Sequence, residues 1–172
     1  MNVQVVDYDA NWKTLFDQEA QKIKDIIGEG LIDIHHIGST SVPGLKAKPI
    51  IDMMPVVRDI ARVERYYLRF EAMGYECLGE FGITGRRYFR KGGSNRTHHV
   101  HIFEFGNPNV QRHLAFRDYL RTHPEDAMSY GALKNDLARR FPDDINAYMD
   151  GKDPLIKSIE QKALSWFEQQ NG

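Results

Sequence analysis

The stretch "HHIGSTSVPGLKAKPIIDMM", residues 35–54, decides how the chain is read. "LIDIHHIG" before it and "PIIDMMPVV" at its end are short, branched and apolar, which predicts two strands. Between them lies a loop holding Gly38, Pro43 and Gly44. Two readings follow. In the first, small residues make a tight turn, and Asp52 pairs with Lys48 or a backbone donor. In the second, Gly38 and Ser39 grip a phosphate that faces the Asp52 carboxylate. Glycine removes the Cβ that keeps a phosphate off the backbone, and Ser39 adds a hydroxyl donor. Thr40 and Ser41 extend the row, while Lys46 and Lys48 add positive charge. Asp52 is flanked by Ile50, Ile51, Met53 and Met54, so an unpaired carboxylate there is costly to bury.

Working outward, "VQVVD" at 3–7 predicts a first strand. Asp9 or Asn11 caps a helix running to about Ile27, with Trp12, Leu15, Phe16, Ala20, Ile23 and Ile27 on one stripe. Gly28 and Gly30 stop it. Residues 60–73 predict a helix with Val63, Tyr66, Tyr67 and Phe70 as its apolar face, closed by Gly74 before the strand "YECLG". "GRRYFRK" and "THHVHIFEF", joined through "GGSN", read as an antiparallel hairpin. From about 109 to 168 the spacing turns helical, with Pro124 and Pro142 at the joins and Gly151 and Pro154 expected to interrupt the last helix. A mixed sheet followed by a helical carboxyl-terminal half makes the fold class α+β, in a single domain spanning 1–172.

With 172 residues the chain has room for one proper core. A formal net charge of −1 disfavours a long nucleic acid as partner. Cys77 has no second cysteine to pair with, which suits a reducing compartment. The amino-terminal "MNVQVVDYDANWKTLF" lacks a secretory pattern, and no apolar run approaches bilayer-spanning length. A soluble cytoplasmic protein with no membrane partner is the expectation.

Other residues carry candidate chemistry. In "THHVHIF", His99 and His101 share a strand face and His98 points the other way. Such a pair can bind a transition metal, contact a phosphate or move a proton; equally, it can be hydrogen-bonded to its neighbours. His35 or His36 can join it. Arg86 and Arg90 share one strand face, where a solvated charged surface is at least as good a reading, and Arg87 lies on the other. Arg112, His113 and Arg117 fall near a helix start, a suitable place for a phosphate.

The string at 35–54 resembles the GrpB (UPF0157) family, an offshoot of the DNA polymerase β-like nucleotidyltransferase superfamily. "RRYFRK", "THHVHIFE", "RHLAFRDYLRTHPEDAMSY", "LKNDLA" and "LIKSIEQKALSW" carry the resemblance along nearly the whole chain. It implies a nucleotidyltransferase-like sheet with flanking helices, and a domain also found fused to dephospho-coenzyme A kinases. In active members of the superfamily, the Gly-Ser turn grips a nucleotide triphosphate and paired carboxylates hold two divalent metals. Here Asp52 stands at the first acid position and Met54 at the second, and a thioether is a poor ligand for Mg²⁺. Glu104 is the candidate to fill the gap as a metal ligand.

The resemblance thus implies a protein that binds a nucleotide or phosphorylated small molecule and transfers a nucleotidyl group with Mg²⁺ or Mn²⁺. Asp52, His99 and His101 are its expected catalytic residues. Gly38, Ser39, Thr40, Lys48, Arg87, Arg112 and Arg117 are the expected phosphate ligands, and Asp52 with Glu104 the metal ligands. The alternatives are a catalytically degenerate binding or regulatory module, and a histidine-based hydrolytic metal site.

Overall fold

The computed structural model describes residues 3–171. The chain divides into two compact units, each assembled from separated segments: Asn11–Ile37 with Ile50–Val110, and Met1–Ala10 with Gly38–Pro49 and Gln111–Gly172.

The first unit holds the sheet. Helix α1, Asn11–Ile27, buries Trp12, Ala20, Ile23 and Ile27, as its stripe predicts. Leu15 departs from that stripe at 37% exposure, and Glu19 takes a buried place instead. The exception is chemical: Glu19 accepts hydrogen bonds from the Tyr75 hydroxyl (2.6 Å) and the Lys91 ammonium, which makes its burial tolerable. A 3₁₀ turn at Gly28–Gly30 leads into β1, Leu31–Ile37. Strand β2 covers Ile51–Val57, β3 Tyr75–Cys77, β4 Arg87–Lys91 and β5 His98–Glu104. The strands lie in the order β1-β2-β5-β4-β3. Only β2 and β5 run parallel; the other pairs are antiparallel. Between β2 and β3, a 3₁₀ segment at Ile60–Tyr66 precedes a single short helix, α2, Tyr67–Ala72. Val63 and Phe70 are fully buried, and Phe70 stacks on Phe89 at 4.4 Å.

The second unit is mainly helical. Helix α3 spans Pro108–Thr122, α4 Pro124–Arg140 and α5 Ile145–Asn171. From Gln111 onward these helices belong to this unit, where Tyr119, Leu120 and Ala115 pack with Tyr130, Ile159, Ala163, Val42 and Leu45. Two expectations are corrected here. The strand at 3–7 is only one bridge, Val6 to Ala47; the next hydrogen-bonded pair would need an N–H from Pro49, which has none. The last helix runs unbroken through Gly151 and Pro154. Pro154 and Asp150 are exposed, so the carbonyl the proline leaves unbonded can be hydrated. Gly151 stays because a Cβ there would lie 2.5 Å from Leu137 Cδ2. Among the described residues no helix is long and apolar enough to cross a membrane.

Candidate functional site

In the sheet unit, the parallel ladder sets Asp52 of β2 beside His99 of β5. Strand alternation puts His101 on the same face. His99 Nδ1 and His101 Nε2 both lie 3.2 Å from the same oxygen, Asp52 Oδ1. Burial alone would push the Asp52 carboxyl up. Hydrogen bonds and positive potential from His101 and His99 overcome this and hold it far below the usual carboxylate range. The Asp52 side chain keeps 28% of its surface exposed, so it remains accessible to a ligand.

Tyr88 of β4 sits opposite His101, with ring centroids 5.1 Å apart. Arg86 lies over the Tyr88 ring at 4.7 Å and approaches His101 Nδ1 with Nη1 at 3.3 Å. Its other nitrogens donate to the carbonyls of Phe81 (2.8 Å) and Glu80 (3.2 Å). Arg86 is therefore buried at 8% exposure, which corrects the solvated-face reading. Arg90, by contrast, pairs with Glu76 at 2.8 Å.

Several expected partners lie elsewhere. Met54 is fully buried. Glu104 sits five residues beyond His99 on β5, roughly 16 Å along the strand and on the opposite face. It accepts from Ile60 N at 3.2 Å. A pair of hard cations held by clustered carboxylates does not fit these residues, because Asp52 is the one acid in its cluster. Arg87 faces away from Tyr88 and bonds to Glu64 at 2.8 Å. His36 stacks on Phe16 at 4.8 Å, and His35 lies 3.7 Å from Asp33.

The helical unit contains the Gly-Ser loop. Gly38 has φ 72°, a backbone that favours glycine, and its carbonyl accepts from Ser41 N at 3.1 Å and from the Ser41 hydroxyl. Thr40 and Ser41 are buried in the short turn that follows. The Ser41 carbonyl accepts from Arg121 Nε at 3.0 Å. Ser39 Oγ accepts from Lys134 Nζ at 2.8 Å. Lys134, at 2% exposure, lies over the Tyr130 ring at 4.3 Å. Burial, then repulsion from Lys152 and Lys48, pushes its ammonium down to about 6. Lys48 and Lys152 lie over the Tyr148 ring at 5.3 and 5.0 Å. The Tyr148 hydroxyl is buried and has no hydrogen-bond partner among the described residues. Arg112 pairs with Glu160 at 3.3 Å and Arg117 with Asp118 at 2.8 Å. The loop thus meets Lys134, and Lys152 lies near enough to Lys134 to repel it; neither lysine is among the residues expected from the sequence. The available signal was Lys134 on the buried stripe of Tyr130 and Leu137.

The α+β architecture is that of a nucleotidyltransferase-like fold. A structure of Cid1 with the UTP analogue UMPNPP is similar in fold, with TM-score 0.51 and 14% identity over 78% of this chain and 43% of that one. The chain belongs to the GrpB protein family, whose pattern it matches over residues 2–162. It is 50% identical to the UPF0157 protein YqkA of Bacillus subtilis (strain 168), over 98% of this chain and 49% of that protein. The chain spans about half the length of that relative. The crystal structure of conserved protein GrpB from Enterococcus faecalis is similar at TM-score 0.93 and 50% identity, covering 95% of this chain and 99% of that one. A dephospho-CoA kinase of Mycolicibacterium paratuberculosis is 25% identical over 95% of this chain and 46% of its own length.

Proposed function

We propose that this protein binds the phosphate groups of a nucleotide or another phosphorylated small molecule, with the Gly38–Ser39 turn and Lys134 as the anchor. One observation carries the reading. Lys134 is a fully buried lysine with no carboxylate partner among the described residues, bonded to the hydroxyl of a Gly-Ser turn. An ammonium in that setting is costly unless an anion joins it. Lys48 and Lys152 raise the local positive potential further. Backbone N–H groups beside Gly38 and the Ser39 hydroxyl supply donors that a lysine, as a point charge, does not orient by itself.

Asp52, His99 and His101 favour a second reading, in which chemistry is retained at the sheet. Nucleotidyl transfer through two Mg²⁺ or Mn²⁺ ions requires more than the one acid present there. The phosphate-binding function therefore stands without a two-metal step, as a binding or regulatory module built on a transferase-like fold. The similarity to a dephospho-CoA kinase puts nucleotide-containing metabolites first among the ligands to test.

The test is a thermal-shift panel of nucleoside triphosphates, dephospho-coenzyme A and coenzyme A, with their unphosphorylated nucleosides as controls. Stabilisation confined to phosphorylated members, reduced in Ser39→Ala and reduced further in Lys134→Met, is the expected result. Equal stabilisation by the nucleosides contradicts it.

A further inference from the structure

Three side chains on the two central strands converge on one point: Asp52 Oδ1, His99 Nδ1 and His101 Nε2 all lie within 4.8 Å of one another. Both nitrogen–oxygen separations are 3.2 Å. A charge-assisted N–H···O bond to a carboxylate is shorter, about 2.7–2.9 Å. Two ligands of one tetrahedral ion, with bonds near 2.0–2.1 Å, stand about 3.4 Å apart, and adjacent octahedral ligands about 2.9 Å. The observed spacing falls between these two. We propose that Asp52, His99 and His101 bind a single first-row transition-metal dication, with Arg86 as the group that limits its affinity.

The donor set selects the ion. Two imidazoles and one carboxylate suit Mn²⁺, Fe²⁺, Co²⁺, Ni²⁺ or Zn²⁺, whereas Mg²⁺ demands an oxygen shell. Three protein ligands leave coordination positions for water or a ligand oxygen, and the exposed part of Asp52 marks the open side. Strand ladders on β2 and β5 fix the backbone beneath all three ligands.

The surroundings set the strength. An imidazole that ligates through one nitrogen carries its proton on the other, normally donated to an acceptor. Behind His101, the Nδ1 atom meets Arg86, a guanidinium that can only donate. His99 Nε2 is buried and has no hydrogen-bond partner among the described residues. A donor facing His101 Nδ1, and an orphaned His99 Nε2, each cost about 10–100-fold in metal affinity. Binding is therefore weak and exchangeable, and Arg86 must turn away from His101 as the ion enters. This inference is independent of the phosphate reading, since the ion is held by the sheet unit alone.

The test uses the full chain stripped by a chelator, without nucleotide. Co²⁺ is titrated by its visible ligand-field absorption, Zn²⁺ by competition with a chromophoric chelator, and Mg²⁺ as the control. One equivalent of Co²⁺ is expected, with paramagnetic shifts of the His99 and His101 ring protons in the unaltered protein. Asp52→Asn and His101→Gln, checked for folding by circular dichroism, should weaken binding by at least about tenfold. Arg86→Gln supplies an acceptor and removes the charge, so it should tighten binding by about tenfold or more. Unshifted His99 and His101 protons, binding indifferent to His101→Gln, weaker binding in folded Arg86→Gln, or equal competition by Mg²⁺ would each overturn the proposal.

Discussion

Lys134 donates to the hydroxyl of Ser39 at 2.8 Å, across 95 residues of sequence. This bond ties α4 to the turn that follows β1. A buried ammonium bonded only to a neutral hydroxyl is costly, and on the proposed reading a phosphate supplies the missing anion. Lys134→Met should therefore weaken binding of a nucleoside triphosphate by about 10–100-fold, the worth of a charged hydrogen bond. Ser39→Ala should weaken it by about fivefold, as expected for a neutral donor. Isothermal titration calorimetry of both variants checks the order.

The same lysine makes stability depend on pH. Its native value is about 6 against an ordinary 10.5, so between those limits the unfolded chain binds a proton that the native chain does not. Stability from this group rises with pH across that window, at no more than about 1.4 kcal/mol per unit, and falls as pH drops toward 6. Urea unfolding from pH 6 to 9 should show a smaller upward slope in Lys134→Met than in the unaltered chain. Phosphate binding favours the charged lysine, so affinity should fall as pH rises through 7 and 8, with proton uptake visible in buffers of different ionisation enthalpy.

Much of this arrangement is legible in the sequence, and the limits are physical. Period-two patterning finds β1, β2 and the β4–β5 hairpin, and with them the shared face of His99 and His101. The pairing of β2 with β5, which brings Asp52 to that face, is a long-range choice that local pattern does not contain. Parity alone argues against Glu104, because an odd step from His99 points it across the sheet. Arg86 is harder: it precedes β4, and the turn through Glu80 and Phe81 carries its burial. Lys134 shares the helical stripe of Tyr130 and Leu137, a signal that stays weak because a long lysine on an apolar face ordinarily extends its ammonium to solvent.

Glu104 supplies a clean contrast. Its carboxylate accepts from Ile60 N, at the start of the 3₁₀ segment. Glu104→Ala should cost about 1 kcal/mol of stability by urea unfolding and leave both phosphate and Co²⁺ affinities unchanged.

The hairpin that carries His99 and His101 depends on Gly92. With φ 109° and a would-be Cβ 2.3 Å from the Asn95 carbonyl oxygen, the position has no room for a side chain. Gly92→Ala should destabilise the protein by roughly 2 kcal/mol or more. Chemical denaturation measures this. Gly93 has open space at its Cβ and should tolerate alanine better, although its φ of 57° still adds strain.

The most direct measurement is calorimetric titration of a nucleoside triphosphate and its parent nucleoside into the unaltered protein and Lys134→Met at pH 7. Binding of the triphosphate alone, weakened at least about tenfold in the variant, is the expected result. Equal affinity in the two proteins, or equal affinity for the nucleoside, would contradict it.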